Sequence, residues 1–262
     1  MATKKQSQLA VTLFTVRDFC NTPEDVVKTL ERVRRIGYEN VQISGHGLMQ
    51  LAPADLGRMA VDAGLRIIGS HIGLQMFRED IKGVIARLKA WGCPYTAVPG
   101  LALQECNSAD LWKQRAKEFT ALGKTLAKEG ITLQYHNHNF EFHRFGGKPG
   151  LQILYETADP KYLQAEIDVA WVAHGGGDPA AWCLRVKGRT DQIHFKDWAM
   201  INNEPNWTEV GEGNLNWPAI LKACKAAGVK TYIVEQDGCP ITNDPFKSIE
   251  ISYKNLRKMG LR

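Results

Sequence analysis

Histidines and carboxylates recur in this chain in a repeated setting. They stand in Ser70-His71, in Tyr135-His136-Asn137-His138 with Glu141 just beyond, and in Glu166-Ile167-Asp168. They recur in His194-Phe195-Lys196-Asp197 and in Glu235-Gln236-Asp237. Each group closes a short run of β-forming residues. Imidazoles and carboxylates together suit manganese, cobalt, zinc or iron(II). The same side chains are the usual carriers of protons in general acid–base chemistry. The chemistry on offer is metal-assisted proton transfer, provided the fold brings these groups together.

The elements that must do so follow a repeating pattern. A helical stretch ends in Gly and a β-rich stretch begins at once in RRIG-YENVQIS, VDAG-LRIIGSH, KAWG-CPYTAV, AKEG-ITLQYHNH, RVKG-RTDQIHF and KAAG-VKTYIVE. Glycine past the last helical residue accepts the left-handed conformation that ends a helix. LAVTLF and LQAEIDVAW complete a series of eight strands, beginning near residues 9, 38, 65, 94, 131, 163, 191 and 230. Thr22 with Pro23 starts one intervening helix, whose Val26, Val27, Leu30 and Val33 share a face, and Ser108 starts another carrying Leu111, Ala116, Phe119 and Leu122. Strict βα alternation implies a parallel sheet with right-handed crossovers, and eight units imply closure into a (β/α)8 TIM barrel. No GxGxxG follows the first strand, which disfavours a dinucleotide-binding fold. Without a linker or low-complexity tract, residues 1–262 read as a single barrel domain.

In such a barrel the site lies at the C-terminal ends of the strands, where the groups above fall. Side chains alternate between the barrel interior and the surrounding helices. Ile131, Leu133 and Tyr135 oppose His136 and His138; Ile167 and Val169 oppose Glu166 and Asp168; Ile193 and Phe195 oppose His194 and Lys196. With the apolar set facing the helices, His, Asp and His from three neighbouring strands converge in the mouth and the eighth strand adds Glu235.

Composition narrows the class further. Hydrophobic residues make up 44% and charged residues 23% of 262, ordinary for a globular protein with a sizeable core. The net charge of +5 is spread along the helices; Lys4–Lys5, Arg34–Arg35 and Arg257–Lys258 are isolated adjacent pairs, so no nucleic-acid footprint is expected. Six scattered cysteines without CxxC fit buried thiols in a reducing compartment. The start, MATKKQSQLAVTLF, has no long apolar run, and no segment is long enough to span a membrane, which makes a cytoplasmic location the default expectation.

LQYHNHNFEF, AEIDVAWV, IHFKDW, WTEVGEGNLNW and YIVEQD resemble the sugar phosphate isomerase/epimerase family of the xylose-isomerase-like TIM barrel superfamily, and the resemblance runs through nearly the whole chain. It implies one divalent metal, usually manganese, with cobalt, zinc, iron(II) or magnesium as alternatives. In that family Glu, Asp, His and Glu from strands five to eight hold the metal; Asp168, His194 and Glu235 match the last three. Strand five departs from the pattern with His136 and His138. His138 lies nearer the strand end and is expected as the fourth ligand, with His136 facing substrate and Glu141 as an outside candidate.

The resemblance further implies a small sugar or sugar derivative as substrate and isomerisation or epimerisation as the reaction. A metal chelating a carbonyl and its neighbouring hydroxyl acidifies the C–H between them and stabilises the enediolate. Glu235 would act as one base and His136, His138 or Glu141 as its opposite, while Lys196 would donate to a substrate oxygen or else pair with Asp197 or Glu166. His71, Trp171 and Trp207 are candidate substrate contacts, and the long segment from Trp198 to Trp217 a candidate lid. His46, His143 and His174 receive no role. A lyase or dehydratase acting on 3-keto-glycosides or inositol-type substrates would start from the same proton abstraction. A barrel that only binds a sugar is the alternative of another class, and a trinuclear nuclease is disfavoured by Trp171 and by the seven histidines in all. Homo-oligomerisation is left open.

Overall fold

A computed structural model describes residues 7–262, the side chain of His46 excepted, so the Lys4–Lys5 pair lies outside the described residues. Eight parallel strands are formed by Leu9–Thr12, Asn40–Ile43, Arg66–Ser70, Tyr95–Pro99, Thr132–His136, Gln164–Glu166, Gln192–Phe195 and Thr231–Val234. Each begins within two residues of its expected start. They form two ladders, one in the order third, second, first, eighth, seventh, and one in the order fourth, fifth, sixth. Two single bridges, His71 to Ala97 and Asp168 to His194, join the ladders into a closed barrel. Both seams therefore run through residues singled out above for their chemistry.

The helices start and stop where local chemistry requires. The Thr22 hydroxyl accepts from the Asp25 amide ahead of helix Pro23–Ile36, and Ser108 does the same for Leu111 ahead of Ala109–Ala127. Val26, Leu30 and Val33 are buried as expected, but Val27 is exposed, because adjacent residues on a helix point about 100° apart. Gly37 ends the first of these helices at φ +126°, with its Cα so close to Tyr253 that a Cβ would lie 2.7 Å from that ring.

The apolar parity of each strand packs outward. Phe195 meets Trp217 and Tyr232, and Tyr135 meets Trp112 and Phe119. The opposite parity fills the barrel with polar groups: Gln42, Gln134 and Gln192 are all buried, and Gln42 reaches across from the second strand to donate to Glu166 on the sixth. Among the described residues no helix is long and apolar enough to cross a membrane. All six cysteines are free, and five are buried.

Candidate active site

The C-terminal mouth gathers two overlapping sets of donors. His136, Asp168, His194 and Glu235 offer atoms within 4.8 Å of one another, and so do His71, His136, Glu166 and His194. Glu235 and the Asp168–His194 pair sit at the ends of neighbouring strands, as parity requires. Asp168 caps the short helix Val169–His174: Oδ1 accepts from the amides of Ala170 and Trp171, each at 2.9 Å. That leaves Oδ2 pointing into the site, where it has no hydrogen bond although the Lys196 ammonium lies 3.2 Å away. His194 Nδ1 is 2.7 Å from Glu235 Oε2, and its Nε2 has no hydrogen-bond partner. His136 Nδ1 is likewise buried and unpartnered.

On strand five the structure groups the donors differently from the expectation. His136, not His138, joins Asp168, His194 and Glu235. The strand ladder stops at His136, which is level with Glu166, so residue 138 already belongs to the loop and strand parity no longer governs it. His138 instead stacks on Phe140 and tilts against Trp171, with Nδ1 unpartnered. Glu141 does not enter the donor sets. Its carboxylate accepts from the Tyr135 hydroxyl at 3.0 Å and from the His138 amide at 2.9 Å, so it fixes the loop that carries His138.

Lys196 is fully buried and pairs with neither Asp197 nor Glu166. Its ammonium contacts Asp237 at 2.6 Å, Asp168 at 3.2 Å and Glu235 at 3.3 Å. Trp171 and Trp207 contact each other edge to face at 4.7 Å between ring centroids and cover that ammonium at 5.2 and 5.3 Å. Trp207 comes from the antiparallel hairpin Asp197–Ile201 with Glu204–Thr208, which forms the first part of the expected lid segment. Asp197 anchors the rest. It accepts from the amides of Trp198, Gly211, Gly213 and Leu215 and from the Trp217 indole. A Cβ on Gly213 would lie 2.2 Å from Asp197 Oδ1, which accounts for glycine there.

Three features escaped the sequence reading as site groups. Glu166 Oε2 is 2.7 Å from His71 Nε2, 3.4 Å from His194 Nε2 and 3.6 Å from His136 Nδ1. Asp237 holds Lys196, and Gln42 holds Glu166 Oε1. The signal was present for the two acids: Glu166 shares the parity of Asp168, and Asp237 that of Glu235. His143 and His174 stay out of the donor sets; His174 packs against Trp171, Trp198 and Trp207.

Electrostatics sorts the roles of these groups. Burial pushes His136 well below its ordinary value, and burial with the nearby Lys196 charge brings His138 down to about 4, so both rings are neutral at pH 7. Burial would raise Glu166 and Glu235, but neighbouring cationic and imidazole groups outweigh it and hold both well below the usual carboxylate range. Burial would likewise lower Lys196, yet Asp168, Glu235 and Asp237 hold it above its ordinary value. The donor set fits a divalent ion: imidazoles and carboxylates converge, and three buried donor atoms lack hydrogen bonds.

The xylose isomerase-like TIM barrel family model matches residues 30–257. The rhizopine catabolism protein MocC of Rhizobium meliloti is 23% identical over 57% of this chain and 50% of its own length. An inosose dehydratase of Salmonella agona is 22% identical over 69% of this chain and 61% of its own. The chain thus spans only about half to three-fifths of the curated relatives it matches. A sugar phosphate isomerase/epimerase from Parabacteroides distasonis superimposes with a TM-score of 0.81 at 24% identity, over 99% of this chain and 96% of that one.

Proposed function

Because this chain belongs to the xylose isomerase-like TIM barrel family, we propose that it is an isomerase or epimerase that removes a proton next to the carbonyl of a polyhydroxylated sugar or sugar derivative. The observation that carries this reading is the convergence of His136, Asp168, His194 and Glu235 within 4.8 Å beside the buried Lys196 ammonium. These four residues would hold a divalent ion, with manganese first among the choices. When bound there, the ion supplies Lewis-acid polarisation of the substrate's carbonyl and neighbouring hydroxyl.

The chain's own groups do the rest. Lys196, kept protonated by three carboxylates, donates to the substrate oxygen on which negative charge develops. Glu235 stays ionised and serves as the carboxylate base. His138, neutral and with Nδ1 free of hydrogen bonds, accepts from a substrate hydroxyl beside Trp171. Trp171 and Trp207 exclude water above Lys196 and offer ring faces to the substrate. His71, tied to Glu166 and stacked on His194, offers a further substrate contact.

Dehydration is the second reading, favoured by the similarity to an inosose dehydratase, and it begins with the same proton abstraction. The test is incubation of manganese-loaded protein in D2O with ketoses, 3-keto-glycosides and inososes, followed by NMR. Deuterium next to the carbonyl without loss of water supports isomerisation or epimerisation, and loss of water selects the dehydratase. Protein that retains no divalent ion and exchanges no substrate hydrogen refutes both.

A further inference from the structure

Asp168 and Glu235 are contested groups. The reading above assigns them to a divalent ion, yet the Lys196 ammonium lies 3.2 and 3.3 Å from their carboxylate oxygens. The ammonium is fully buried and shielded by two tryptophans, so solvent does little to screen it. An ion on this pair and an ammonium beside it repel each other at short range in a medium of low dielectric.

One group separates them. Asp237 lies outside both donor sets, and its Oδ2 is the nearest partner of the ammonium at 2.6 Å. Its backbone carbonyl accepts from Arg17 at 3.1 Å, which pins the end of the eighth strand and keeps the carboxylate in reach of Lys196. The ammonium has three acids in reach, Asp168, Glu235 and Asp237, and only Asp237 stands outside the four residues assigned to the ion. Without Asp237 the ammonium would have only Asp168 and Glu235 as partners, the two carboxylates that the ion also needs.

We propose that Lys196 is a built-in competitor of the divalent ion, and that Asp237 is a positioning residue that draws the ammonium aside and thereby sets how tightly the ion is held. This rests on the assignment of the ion to His136, Asp168, His194 and Glu235.

The test is manganese binding by isothermal titration calorimetry at pH 7.5 on the full chain, with thermal melts to verify folding. Lys196→Met should bind manganese at least tenfold more tightly than the unaltered protein. Asp237→Asn, which leaves the ammonium with two partners, should bind at least tenfold more weakly. In the Lys196→Met background, Asp237→Asn should cost less than threefold, because its effect passes through the ammonium. Lys196→Gln serves where the methionine variant does not fold. Equal losses from Asp237→Asn in both backgrounds, or weaker binding in the Lys196 variants, overturn the proposal while leaving the metal assignment intact. Absence of binding in the unaltered protein that appears in Lys196→Met supports the competition. Absence of binding in every variant removes the metal assignment together with the proposal.

Discussion

His136 at the end of the fifth strand and His138 in the loop beyond it make opposite claims that a single pair of substitutions separates. His136→Ala removes a donor from the set that also holds Asp168, His194 and Glu235, whereas His138→Ala removes a ring that packs on Phe140 and Trp171. Donors about 2.1 Å from a common tetrahedral ion stand about 3.4 Å apart, and the four atoms here already lie within 4.8 Å. Little rearrangement therefore separates them from a coordination shell, and each should contribute fully to affinity. Loss of an outer partner of a ligand typically costs 10–100-fold, so loss of His136 itself should weaken manganese or cobalt binding by more than about 100-fold. Binding should stay measurable, because the two charged ligands remain. His138→Ala should change it by less than about fivefold. The assay is equilibrium dialysis with elemental analysis, supported by the visible spectrum of the cobalt form. Loss of metal in His138→Ala with full retention in His136→Ala would falsify the assignment.

Three further outcomes are expected. Burial pushes Glu141 up to about 8 from an ordinary 4.5, so between those pH values the folded chain keeps a proton that the unfolded chain gives up. Stability should then fall as pH rises through that window, by about 1.4 kcal/mol per pH unit at most, and Glu141→Gln should flatten the slope in urea titrations at pH 5, 6, 7 and 8. Gly213→Ala forces a Cβ onto Asp197 and should cost about 3 kcal/mol or more, whereas at Gly211 the Cβ meets the flexible end of Met259, so Gly211→Ala should cost less despite its φ of +88°; thermal melts rank the two. Trp207→Ala uncovers Lys196 without touching a donor, so cobalt content should hold while its release to a chelator accelerates at least fivefold; an unchanged release rate would show that Trp207 does not cover the route.

The fold was readable because its signals are local and repeated. Glycine at helix ends, Thr22 and Ser108 at helix starts, and the switch from helical to alternating periodicity each act within a few residues. The convergence of Asp168, His194 and Glu235 was readable for the same reason: each follows an alternating strand to its end. His138 marks where the logic stops. Whether a strand continues for two more residues depends on pairing with a neighbour, and the fifth strand loses its partner after Glu166 on the sixth. The partner of Lys196 was also out of reach, since three acids compete for one ammonium and only their relative positions decide among them. Glu141 carried the residue type of a catalyst, but its role is set by the Tyr135 hydroxyl and the His138 amide.

The two seams of the barrel bear on how the molecule opens. One ladder contains the seventh, eighth, first, second and third strands and the other the fourth, fifth and sixth, with one bridge at each junction. The molecule is thus two half-shells, each a continuous ladder, joined at the seams by single bridges and by cross-links such as Gln42 to Glu166 and Ser70 to Thr96. His136 and Asp168 belong to the smaller shell, and His194 and Glu235 to the larger. A ligand held by all four is a cross-link across the seam marked by the Asp168–His194 bridge. Its binding should slow the parting of the shells more than it stiffens either one. In hydrogen exchange the added protection should concentrate at the His194 amide, which donates to Ile167 across that seam, while the amides inside each ladder change little.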